Sequence, residues 1–193
     1  MLLGRIVAAP VALFSGLLIG CSDPPAEPAE GALTISVSPA QGAHCNGQHG
    51  QLLMPQNTLV QDRLNCDLSQ SGCNPGEYVA VDGDSDTNVS CNVTKSASGF
   101  SIQASMAIGG NNVSFSGALS PTGGDVTMTH RSVNTQINLS GQCTITIAPN
   151  HGAIDGGKIW AQYTCPNVSE PGSASGDQCV ASGAFIFERC GGG

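Results

Sequence analysis

From Leu33 onward, apolar and polar residues alternate with a period of two. Leu33, Ile35 and Val37 alternate with Thr34, Ser36 and Ser38 until Pro39 ends the run, the pattern of a strand with one face buried. Phe100, Ile102, Ala104, Met106 and Ile108 repeat it, Gly109-Gly110-Asn111-Asn112 supplies a turn, and Val113, Phe115, Gly117 and Leu119 return. This is the clearest hairpin in the chain. Val126 and Met128 follow the Pro121-Thr122-Gly123-Gly124 turn, and the run from Ile137 to Ile147 reads as the longest strand. Ile159, Ala161, Tyr163 and Cys165 mark another, and Ala184 to Phe187 the last. No window keeps a helical period, and the scattered leucines between Leu52 and Leu68 are interrupted by Pro55 and turn formers. Short strands punctuated by Gly, Asn and Pro predict an all-β fold, an antiparallel β-sandwich or jelly roll. Ser and Thr on the polar phase predict that one face of the sheet meets water.

The first 31 residues break this pattern. Arg5 precedes an apolar run from Ile6 to Ile19 that contains Pro10, the layout of a secretory signal peptide, and too short a run to span a bilayer comfortably. The run ends in Leu18-Ile19-Gly20-Cys21, which resembles the lipobox of bacterial lipoproteins. The resemblance implies that Cys21 is acylated and becomes the new N-terminus. Two or three acyl chains on one cysteine suffice for stable anchoring. It also implies, from Ser22 in place of Asp, the outer membrane rather than retention at the inner one. Residues 22–31, SDPPAEPAEG, offer no side chain to a core and read as a tether stiffened by proline and solvated by glutamate. The expected organisation is therefore a signal peptide over 1–20, acylated Cys21 and tether over 21–31, and one β domain over 32–193.

Leu, Ile, Val and Phe supply only 32 of the 173 residues from Cys21 onward, a thin core that needs another brace. Cysteine supplies it. Beside Cys21 stand Cys45, Cys66, Cys73, Cys91, Cys143, Cys165, Cys179 and Cys190, an even number in an exported chain, which predicts four disulfides. Local geometry suggests Cys66 with Cys73, Cys165 with Cys179, Cys91 with Cys143 across two sheets, and Cys45 with Cys190. A zinc site at Cys66 and Cys73 lacks the tight ligand spacing that such sites use.

The formal net charge is −8. Beyond Arg5, only Arg63, Lys95, Arg131, Lys158 and Arg189 are fixed cations, which excludes a phosphate-backbone partner, because nucleic-acid binding needs a basic stripe. Attraction of the protein's own charge to anionic lipid is opposed for the same reason.

Candidate chemistry is sparse. Asp82, Asp84 and Asp86, followed by Asn88, place carboxylates at alternate positions of a short loop, and oxygen ligands so crowded suit Ca2+. Against this, Thr87 stands where a calcium loop needs glycine and Val93 where it needs a bidentate glutamate. The alternative is a solvated Asp-Gly turn between strands at Glu77–Val81 and Val89–Lys95. His44 and His49 lie five apart without a carboxylate at hydrolase spacing, and read as surface residues beside a disulfide; His130 and His151 stand elsewhere. Gly172-Ser173-Ala174-Ser175-Gly176 puts alanine where a nucleophile elbow needs serine. Asp125, Asp155 and Asp177 sit beside glycine as turn residues do. Trp160, out of phase with Ile159 and Ala161, is placed to face solvent or a shallow groove, where an aromatic ring can stack on a sugar.

The lipobox, tether and cysteine-braced Ser/Thr strands are similar to the small cysteine-rich envelope lipoproteins of Gram-negative bacteria such as myxobacteria. The resemblance implies a lipid-anchored envelope protein whose β domain is structural or binding rather than enzymatic, with no resident cofactor. The alternatives are a calcium- or carbohydrate-binding module, and then a secreted hydrolase. The membrane, through the acyl chains, is the one partner implied; a protein or glycan partner is left open.

Overall fold

The computed structural model describes residues 26–45, 50–56, 64, 79–133, 137–150, 152–169 and 178–191. Cys21, His49, Cys66, Cys73, Tyr78, His151, Asp177 and the stretch 172–176 lie outside the described residues.

The chain order is β1 (Glu30–Pro39), β2 (Gly50–Met54), β3 (Ala80–Val81), β4 (Asn88–Ser96), β5 (Gly99–Ile108), β6 (Asn111–Leu119), β7 (Gly123–Ser132), β8 (Ile137–Thr146), β9 (Ala153–Asp155), β10 (Lys158–Ser169) and β11 (Cys179–Glu188). They form one antiparallel sheet in the order β2-β1-β11-β10-β8-β7-β6-β5-β4, with β3 beside the start of β1 and β9 beside the start of β10. The all-β, antiparallel, disulfide-braced class expected from the sequence is what the chain adopts. The sheet is continuous and curled, so the hydrogen-bonded path does not separate two facing layers.

Alternation decides what lies inside. Phe100, Ile102, Ala104 and Met106 on β5 and Val113, Phe115 and Leu119 on β6 point into one core with the inward residues of the other strands. Aromatic rings fill its middle, with the Phe115 centroid 4.6 Å from Phe185 and 4.9 Å from Tyr163. Each large side chain removed from water contributes about 1.5–3 kcal/mol. β1 departs from simple alternation, because its first six residues are buried on both faces. Ala32, Ala184 and Ile186 point outward from β1 and β11 and are covered by Leu64, with Val79 and Trp160 packed against them. β10 continues past Cys165 through an irregularity at Pro166 and Asn167 to Ser169, which makes it the longest strand and accommodates a residue without an N–H.

A curled sheet still leaves two edge strands, and the β4 edge is covered. The Val89 N–H donates to Asp82 Oδ1 at 2.9 Å. The Gly191 N–H donates to the Cys91 carbonyl, the Val93 N–H to the Gly191 carbonyl, and the Gly157 N–H to the Val93 carbonyl. Covering an edge in this way removes a template for pairing with other chains. The residues after β11 and the β9–β10 turn thus bring the sheet round onto β4.

The disulfides follow this curl, and three expected pairs are corrected. Cys91 bonds Cys190 rather than Cys143, Cys45 bonds Cys179 rather than Cys190, and Cys143 bonds Cys165, which leaves no bond between Cys165 and Cys179. Cys91 and Cys143 lie on β4 and β8, with β5, β6 and β7 between them, whereas the curl carries Cys190 to β4. Cys143 and Cys165 face inward on neighbouring strands. Each bridge contributes about 2–4 kcal/mol by restricting the unfolded chain.

Candidate functional site

Strands from four parts of the chain build a groove on the outer face. Register places Thr164 of β10 opposite Ser182 of β11, Ser182 opposite Ser36 of β1, and Ser36 opposite Gln51 of β2. Thr34, Gln162, Ala184 and Leu64 complete the walls of a concavity of about 340 Å³, and among the described residues no charged side chain lines it.

Its floor is a lapse in strand pairing. Between Leu33↔Phe185 and Ser36↔Ser182 the β1–β11 ladder is interrupted. There the Ala184 N–H donates to Thr34 Oγ1 at 3.1 Å, and the Tyr163 hydroxyl donates to the Thr34 carbonyl at 2.8 Å. Tyr163 reaches across β11 because its register partner is Gly183. A Cβ on Gly183 would lie 2.0 Å from the Thr34 oxygen and 3.0 Å from Tyr163 Oη. Burial pushes the Tyr163 hydroxyl well above the usual phenol range, so it stays a protonated donor.

The Asp82 loop is a turn whose first carboxylate faces inward. The Asp84 N–H donates to the Val81 carbonyl and the Thr87 N–H to the Asp84 carbonyl, while Gly83 and Ser85 take positive φ. Asp82 accepts from the Val89 N–H, as a cap on β4. Asp84, Asp86 and Asn88 are exposed. Among the described residues, no three His, Cys, Asp or Glu side chains gather closely enough to hold a metal ion. Asp82→Ala is expected to lower stability by about 1–3 kcal/mol, the cost of leaving a part-buried donor unpaired, read as a shift in the urea midpoint. A midpoint that rises with calcium in the wild type but not in Asp82→Ala would instead assign the loop to the metal.

Trp160 stands at the margin of the groove, packed against the cluster that includes Leu64 and Ala184, and is not part of the lining. Its indole N–H donates to Glu188 Oε1 at 2.9 Å, and Lys158 Nζ lies 5.6 Å from the ring centroid. The next residues fan apart. Arg189, at φ 54°, donates to Glu30 Oε1 at 2.7 Å and meets Glu27 Oε2 at 3.0 Å, while Cys190 turns to Cys91. A non-glycine residue in the left-handed region is uncommon and is held there by its surroundings.

No family model, curated protein or solved structure matches the chain.

The remaining sequence candidates scatter. His44 is exposed beside Cys45, whereas His130 is buried on β7 with both ring nitrogens unpartnered. Asp155 closes the β9–β10 turn by accepting from the Gly156 N–H. Asp125 is a correction: it lies within β7 and accepts from Thr144 Oγ1 at 2.9 Å, because the turn ends before it. Sequence reasoning missed the groove altogether. Its only signal was the polar phase of three strands, at Thr34 and Ser36, Gln162 and Thr164, and Ser182, and nothing local says that those strands are neighbours.

Proposed function

We propose that the chain is a lipid-anchored cell-envelope protein whose β domain is a non-enzymatic binding module held close to the membrane. The observation that carries this reading is the clamp of Arg189 on Glu27 and Glu30. It fixes where the Pro/Glu segment enters the folded domain, six residues beyond the lipobox Cys21. At most about 3.3–3.6 Å of extended chain per residue puts that pole within about 20 Å of the anchor. Ion pairing of both glutamates of this Pro- and Ala-rich segment makes the tether part of the scaffold. The Arg189 pole then faces the membrane, and the side-facing groove stays open to the surrounding envelope.

Acylation at Cys21 is tested by expressing the full chain in a Gram-negative host fed labelled palmitate. The wild type is expected to carry label and to sediment with the outer membrane, and Cys21→Ser to lose both properties. An unlabelled wild-type chain with an uncut amino end would overturn the reading.

A further inference from the structure

We infer that the groove across β2, β1, β11 and β10 is a binding site for a neutral oligosaccharide. This deepens the binding-module reading above and rests on it. The volume of about 340 Å³ lies at the lower end of the 300–1,000 Å³ typical of small-ligand sites. The chemistry of the lining decides the class of ligand. Ser36, Gln51, Gln162, Thr164 and Ser182 present hydroxyls and amides with both donor and acceptor capacity. None of the five makes a side-chain hydrogen bond within the described residues. Elsewhere on the outer face some cross-strand partners engage one another, as in Ser114 with Thr129, Gln142 with Thr127 and Thr144 with Asp125, while pairs such as Ser90 with Ser105 and Gln103 with Ser116 do not. The groove keeps its polar groups uncommitted where the sheet is concave.

Among the described residues no side chain there supplies a counter-charge to a charged ligand, whose desolvation is costly. An apolar one would meet mostly hydroxyl and amide groups, with Leu64, Ala184 and the Tyr163 ring as the apolar contributions among the described residues. An extended peptide that adds to a sheet uses a strand edge, whereas this row runs across the face of four paired strands. Adjacent strands are about 4.8 Å apart, so the row repeats polar groups at a spacing comparable to the width of a sugar ring. Leu64 and Ala184 offer a small apolar wall for the less polar face of the ring.

The test is isothermal titration of the full-length protein, in a zwitterionic detergent without a sugar headgroup, with chitotetraose, cellotetraose and maltotetraose. Oligogalacturonate and tetra-alanine serve as the anionic and peptide comparisons. At least one neutral tetrasaccharide is expected to give saturable heat at millimolar concentration. The double variant Gln162→Ala/Ser182→Ala is expected to weaken that affinity about tenfold or more, which is about 1.4 kcal/mol, with an unchanged melting temperature. Absence of saturable heat with all three neutral sugars overturns the site, as does saturation by oligogalacturonate or tetra-alanine alone. An affinity unaltered in the double variant does the same. Palmitate labelling and sugar titration report independently, so failure of the groove is distinguishable from failure of the anchor.

Discussion

Gly183→Ala is expected to cost the domain about 1–3 kcal/mol. The added methyl would sit 2.0 Å from the Thr34 carbonyl oxygen and 2.8 Å from its carbon, and these are backbone atoms of a strand buried on both faces. No rotamer relieves such a contact. Either β1 and β11 separate, an overpacking cost of about 1–3 kcal/mol, or the Tyr163 hydroxyl leaves the Thr34 carbonyl, which then stays buried and unpaired at about 1–3 kcal/mol. Native domains are stable by only about 5–15 kcal/mol, so the loss is a large share of the total. Urea unfolding of Gly183→Ala, Tyr163→Phe and the double variant separates the two routes. If the methyl acts by displacing Tyr163, the double variant costs less than the two single ones together, because both break the same bond. A cost under about 1 kcal/mol would show that β1 gives way freely and that Gly183 is not what lets Tyr163 cross β11.

The same region shows where sequence reading stops. The β5–β6 hairpin was legible because everything that defines it is local: two alternating runs, a Gly109-Gly110 turn, and pairing that continues from Ile108↔Asn111 to Phe100↔Leu119. β2 was not, since Leu52, Leu53 and Met54 stand consecutively without alternation, and its place is fixed by pairing with β1. Disulfide connectivity failed for a related reason. Even cysteine number announces oxidation, but Cys190 reaches Cys91 only after the sheet has curled across the seven strands from β11 to β4. The groove needs β1 between β2 and β11, an arrangement that brings Ser36 to Ser182 over most of the chain length. At Asp82 the sequence shows the charge crowding of the loop but not the Val89 N–H that this carboxylate caps.

His130 was legible in part and carries the second large effect. It continues the inward phase of Val126 and Met128 along β7, and the structure buries it at 3% exposure with neither nitrogen hydrogen-bonded. Burial disfavours the charged imidazolium and lowers the pKa of the ring below its ordinary value near 6.5. Between that lowered value and about 6.5 the unfolded chain binds a proton that the folded chain does not. Stability due to this group is therefore fully present above about pH 6.5 and is lost as pH falls, by up to about 1.4 kcal/mol per pH unit, until the folded-state pKa is passed. His130→Leu removes both the titration and two unsatisfied polar atoms. It is expected to raise stability at neutral pH by about 1–3 kcal/mol and to flatten the decline that sets in below about pH 6.5. Urea midpoints measured across that range for wild type and variant decide the matter. Parallel pH profiles would mean that the acid sensitivity of the domain arises elsewhere and that the buried ring stays neutral without cost.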